Sequence, residues 1–135
     1  MNAPTNSDDV IDSRDVIERL EELEATKEAF EATEEHITWE SVEPDEAEEL
    51  KSLTAFASEA EGYSDDWLHG ATLIRDSHFR DYIEELINDC YELPKAFNSG
   101  EWPYRHMKLD YEAAAEEAQS DYTSVDFDDV TYWVR

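Results

Sequence analysis

TSVDFDDVTYWVR (Thr123–Arg135) decides whether a chain rich in helix formers also contains a sheet. Its β-branched and aromatic residues flank the pair Asp128-Asp129, and aspartate is one of the residue types that suits a turn. The stretch predicts a terminal β-hairpin. Working backward from it, Asp110 is placed to cap an alanine-rich helix over Tyr111–Gln119, and KAFNSGEWPYRHMK (Lys95–Lys108) reads as a loop with two aromatic anchors. Further back, Ser77 can cap a helix whose Phe79, Tyr82, Ile83, Leu86, Ile87 and Cys90 share one face, with Pro94 ending it. ATLI (Ala71–Ile74) fits either a short strand or a helix start.

The front of the chain reads differently. Ser13 is an N-cap candidate with Asp15 in the favourable first turn, and Val16, Leu20, Leu23, Lys27 and Phe30 recur at helical spacing. Pro44 suits the first turn of a second helix, in which Ala47, Leu50, Leu53, Ala57 and Ala60 form an apolar stripe that stops near Gly62. A short connection makes the two an antiparallel helical hairpin. The expected fold is therefore α+β and mainly helical, with a flexible tail over 1–12, an acidic helical hairpin over 13–62 and a compact α+β unit over 63–135.

Charge dominates the composition. Thirty-seven acids face ten bases, for a net charge of −27 over 135 residues. The balance is −16 through Gly62 and −11 beyond it, so the front is the denser part. Such a surface repels nucleic acid and anionic lipid and attracts basic proteins and cations. Eight glutamates fall between Glu18 and Glu35. On a helix that segment is about 27 Å long, one carboxylate per roughly 3.4 Å of axis, and one strand of duplex DNA carries a charge at about the same interval. Few lysines stand four residues from these glutamates, so the pairing that normally supports a solvated helix face is largely missing. The competing explanation is adaptation to a salty cytoplasm, which also produces acidic, lysine-poor surfaces; only four lysines occur.

Signs of catalysis are weak. None of His36, His69, His78 and His106 sits in a metalloprotease or zinc spacing. His69, Asp76 and His78 are close in sequence but carry no recognisable pattern, and DFDD lacks the glycine and terminal glutamate of a calcium loop. Asp65–Asp66 and Asp128–Asp129 are better explained as turns than as acid–base pairs. Cys90 reads as a small core residue, and as a lone cysteine it can form no internal disulfide. The aromatics suit a core or protein interface better than a base-stacking platform, given the charge. No enzyme activity and no cofactor are expected. With no apolar run of membrane-spanning length and no signal-like start, a cytoplasmic location is the expectation.

The segments GYSDDWLHGATLIRDSHFRDYIEEL, WP and LDYEAAAEEAQSDYTSVDFDDVTYWVR, spanning Gly62–Arg135, resemble a family of small acidic proteins carried by bacteriophages and prophages. The family has the same order of G-Y-x-x-D-W, L-I-R-D-S, W-P, an A-A-rich helix and a closing Y-W-V-R. It is grouped near antirestriction proteins of the ArdA type, which look like DNA in charge and shape. Relatives place glycine where Asp129 stands, which leaves the hairpin turn type open. The resemblance implies a counter-defence role in a host cytoplasm and transfers no catalytic residue.

Together these readings predict a DNA-mimicking inhibitor that binds the basic cleft of a host DNA-binding defence protein, a restriction or CRISPR complex, and touches neither nucleic acid nor membrane directly. The expected contact residues are Glu18, Glu21, Glu22, Glu28, Glu31, Glu35, Glu46, Glu49, Asp65, Asp66 and Trp67. The alternative is a structural or regulatory interaction module, of a phage or a halophilic host, that pairs through Val16, Leu20, Leu23 and Phe30 into a homodimer and uses its acids for solubility.

Overall fold

The computed structural model describes residues 3–135. Five helices surround a four-stranded antiparallel sheet, so the chain is mainly helical α+β, as expected. The strands are β1 (Val10–Asp12), β2 (Thr72–Arg75), β3 (Thr123–Phe127) and β4 (Val130–Val134), and they lie in the order β1-β2-β4-β3. The helices are α1 (Ser13–Thr33), a single turn α2 (Trp39–Val42), α3 (Pro44–Ala60), α4 (Phe79–Cys90) and α5 (Tyr111–Gln119).

Alternation along the strands sends neighbouring side chains to opposite faces of the sheet. Leu73, Tyr132 and Val134 join Ile11, Val125 and Phe127 on one face, beneath Val16 and Leu23 of α1, Trp39 of α2, and Leu53, Phe56, Ala57 and Ala60 of α3. Ile74 belongs to a second core on the other face, with Phe79 and Ile83 of α4 and Ala115 of α5, and Trp133 packs against it. The result is three layers, α1–α3 over the sheet and α4–α5 beneath it. Phe56 stacks flat on Phe127 at 4.5 Å between ring centres, which fastens α3 to the hairpin. Each fully buried Leu, Ile or Phe in such a core contributes about 1.5–3 kcal/mol.

This layering alters several expectations. Val10–Asp12 pair with Thr72–Ile74, so the expected tail closes an edge of the sheet over those residues; Met1 and Asn2 lie outside the described residues. The boundary expected at residue 62 does not divide the core, because the helical pair and the strands bury the same cluster. For the same reason Val16 and Leu23 are buried beneath their own fold, and Leu20 and Phe30 pack against that cluster. The stripe is occupied largely within the chain.

Local chemistry shifts two caps. Asp12, not Ser13, caps α1: its carboxylate accepts the Arg14 N–H at 2.9 Å. Ser13 is fully buried instead, its Oγ donating to the Trp67 carbonyl and accepting the Ala71 N–H, both at 2.7 Å. Ser77 makes no cap; it lies in a 3-10 turn, Asp76–His78, that leads into α4. Cys90 is exposed at the end of α4, contrary to its expected core position, because α4 is buried chiefly at Phe79 and Ile83. The hairpin turn left open by the sequence is a two-residue loop with φ of 47° at Asp128 and 68° at Asp129. Both values lie in the left-handed region, which is the geometry of a type I′ turn.

Candidate partner-binding surface

α1 carries the charge because its two sides have different employment. Val16 and Leu23 face the sheet, with Ile17, Leu20 and Phe30 beside them. On the outer flank Glu21, Glu24, Glu28 and Glu31 follow at spacings of 3, 4 and 3, and all four are exposed. That spacing places them in one row along the helix. The row spans about 15 Å, one carboxylate per roughly 5 Å, so a single face is sparser than the charge on a DNA strand. The tighter interval expected from sequence counts glutamates all around the helix.

The row is held on a rigid support. Arg19 of α1 donates two hydrogen bonds to the Glu49 carboxylate of α3, at 2.7 and 2.8 Å, and a third to Glu22 at 3.1 Å. These two carboxylates raise the Arg19 pKa, Glu49 foremost. Lys27 lies 3.3 Å from Glu40 and 4.0 Å from Glu31. A hydrogen bond from its own backbone N–H, and then one from Lys27, hold the Glu40 carboxyl below its usual range.

The expected contact residues therefore fall into groups. Glu18, Glu21, Glu28, Glu31 and Glu35 are exposed, and Glu35 stands just past the end of α1. Asp65 and Asp66 are exposed near the other end, where the Ser13–Trp67 hydrogen bond bolts their loop to the first turn of α1. Glu22 and Glu49 are largely spent on Arg19, and Glu46 is half-buried. Trp67 is 5% exposed and belongs to the core, so it is no rim anchor. Sequence reasoning passed over Glu24, although its place in the 3-4-3 spacing marked it.

Acids also cover the opposite layer. Asp81, Glu85 and Asp89 of α4 and Glu112, Glu116 and Glu117 of α5 are exposed. The molecule thus has two acidic helical layers, and α1 is the longest single helix in either.

Two features of α1 disfavour stability as the reason for its charge. Its last turn contains no base, and Glu31 and Glu34 sit where the helix dipole presents its negative end. A carboxylate there opposes a helix by roughly 0.3–1 kcal/mol.

Among the described residues no three His, Cys, Asp or Glu side chains converge as metal ligands. His78 approaches Asp9 at 3.9 Å, while Asp76 accepts the Trp133 indole N–H at 2.9 Å, so the cluster weighed in the sequence is dispersed. No described helix is long and apolar enough to cross a membrane. No protein-family model matches the chain, and no curated protein or solved structure shows significant similarity to it.

Proposed function

We propose that this chain is a non-enzymatic inhibitor that imitates DNA at the basic cleft of a host defence nuclease, a restriction complex or CRISPR effector, on behalf of a phage. The observation that carries the reading is the exposed row Glu21, Glu24, Glu28 and Glu31 on a helix clamped to its neighbour and packed along its other side. A carboxylate row on a backbone fixed before binding loses little backbone freedom on meeting arginines and lysines, which is where a flexible acidic tail would lose much of its affinity. Asp65, Asp66, Glu18 and Glu35 extend the charge toward both ends of the row. The resemblance of Gly62–Arg135 to small acidic phage proteins supplies the setting.

The test is DNA cleavage by purified restriction and CRISPR complexes, titrated with the protein at several DNA concentrations. Inhibition that excess DNA relieves, and that weakens steeply between about 50 and 200 mM salt, is the expected result for a competitor built on phosphate-like charges. Inhibition indifferent to both DNA and salt, or none in any complex, would overturn the proposal.

A further inference from the structure

Trp67 turns into the core, and the next residue, Leu68, is 75% exposed, the highest value among the large apolar side chains described. The loop that presents it is held at both ends. Ser13 of α1 donates its hydroxyl to the Trp67 carbonyl and accepts the Ala71 N–H, both at 2.7 Å. Its own N–H reaches the Ala71 carbonyl at 2.9 Å. Within the loop the N–H groups of His69 and Gly70 both donate to the Asp66 carbonyl, at 2.9 and 2.8 Å. An exposed leucine is ordinary on a protein surface. One on a backbone tied down in this way keeps its place relative to α1. Tyr63, 46% exposed, ends the 3-10 turn Glu61–Tyr63 that leads into the same loop.

The charge around this pair is predominantly negative. Residues 59–70 hold four acids, Glu59, Glu61, Asp65 and Asp66, and no lysine or arginine. All four acids are exposed. Two arginines border the loop. Arg14, against Gly70, is taken up by Asp12 at 2.6 Å. Arg135 shares a recess with Asp66 and lies over the Tyr122 ring, 5.7 Å from its centre. With Asp12 and both arginines included, five acids still face two bases. The other most exposed side chains of this kind, Trp102 at 74% and Tyr91 at 66%, lie within residues 91–110. Three acids meet three bases there, so charge selects no partner for them.

We propose that Leu68 and Tyr63 are the apolar anchor of the acidic face, and that their occupant is a basic protein surface with an apolar pocket between its lysines or arginines. Charge complementarity selects this occupant at two scales. The acids beside the pair draw it locally, and the net charge of −27 draws it from a distance. The same field holds off a second copy and nucleic acid. Identifying that surface as a nuclease cleft rests on the function proposed above; its chemistry does not. Exposed ion pairs add little affinity each, and a desolvated apolar contact inside the acidic rim adds the rest. Ser13, to which the loop is bonded, lies about 12 Å along the helix axis from Glu21, where the glutamate row begins. The anchor thus stands at one end of the row.

The probes are two dye-labelled peptides of equal positive charge, titrated by anisotropy against the full chain. One is an amphipathic lysine–leucine helix, and in the other each leucine is replaced by serine. The lysine–leucine peptide should bind at least about tenfold more tightly. The double variant Leu68→Ala, Tyr63→Ala should bring it down to the level of the lysine–serine peptide, whose own binding stays unchanged. Trp102→Ala should alter neither. Circular dichroism should match the natural chain, since both replaced side chains are exposed. Against a nuclease that the natural chain inhibits, the double variant should lose at least about tenfold in potency with the same salt dependence, because no charge is removed. Equal binding of the two peptides, an undiminished double variant, or a leucine preference lost in Trp102→Ala instead would each overturn the anchor. A leucine preference that depends on Leu68 and Tyr63, in a chain that inhibits no nuclease, would support the anchor and overturn only the cleft-binding reading.

Discussion

Arg19 holds Glu49 in a two-pronged grip, at 2.7 and 2.8 Å, across the gap between α1 and α3. Both side chains are mostly shielded, at 23% and 28% exposure, so solvent screens this pair less than any other ion contact on the acidic face. Planar, paired hydrogen bonds of this kind resist both stretching and rotation. They give the carboxylate row a fixed bearing on the fold.

Removing the grip has a calculable direction. Arg19→Ala leaves Glu22 and Glu49 facing each other without a counter-charge, and should cost about 1–3 kcal/mol. Urea denaturation measures the loss. Arg19→Ala combined with Glu49→Ala should recover part of it, because the stranded charge is gone; a double variant as weak as the sum of the singles would deny the coupling.

The hairpin turn invites a stabilising change. Asp129 adopts φ of 68°, and glycine takes that conformation without a Cβ clash. Asp129→Gly should raise stability by roughly 0.5–1 kcal/mol. Asp129→Asn, which removes the charge and keeps the Cβ, should yield less. Asp128→Gly should not help, because glycine loses the carboxylate that accepts the Ser52 hydroxyl of α3.

Alkaline pH should loosen the edge of the sheet. Tyr132 is fully buried and donates to the carbonyls of Thr5 and Asp8, and burial pushes its phenol up to about 12. A raised phenol pKa means that the folded state holds the proton more tightly. Its contribution is complete below about pH 10, the unfolded value, and is lost as pH climbs through about 12. Equilibrium unfolding followed across that window should show stability falling by about 2–3 kcal/mol, order of magnitude, from this group. Tyr132→Phe should flatten that part of the profile and cost about 1 kcal/mol at neutral pH.

Glu34→Lys places a cation at the C-terminal end of α1 and should stabilise by about 0.3–1 kcal/mol. Salt should act in the same direction by shortening the reach of self-repulsion from about 30 Å at 0.01 M to about 3 Å at 1 M. The melting temperature of the natural chain should therefore rise with sodium chloride. A flat or falling curve would mean that paired charges outweigh the crowding of like ones.

Much of this architecture was legible in the residues, for identifiable reasons. Pro44 and the Leu50–Leu53–Ala57–Ala60 stripe mark α3 because a fixed φ and a helical apolar period act locally. The terminal hairpin is legible because β-branched and aromatic residues surround two turn-forming aspartates. β1 was not, since three residues become a strand only by pairing with Thr72–Ile74. Ser13 was misplaced because an N-cap and a buried hydroxyl serving distant backbone carry the same residue type. Trp39 and Trp67 gave no local sign that they plug the core, and the shared core across residue 62 is a long-range fact. Glutamate spacing located the row, but which glutamates Arg19 consumes depends on α3.

The most direct measurement compares the natural chain with a variant carrying Glu21→Gln, Glu24→Gln, Glu28→Gln and Glu31→Gln as inhibitors of DNA cleavage by a defence complex the natural chain blocks. Glutamine preserves shape and helix preference while removing the charge. The account predicts an intact fold by circular dichroism and inhibition weakened by at least about a hundredfold, since four pairs at roughly 1 kcal/mol each are lost. Undiminished inhibition by the folded variant would contradict it.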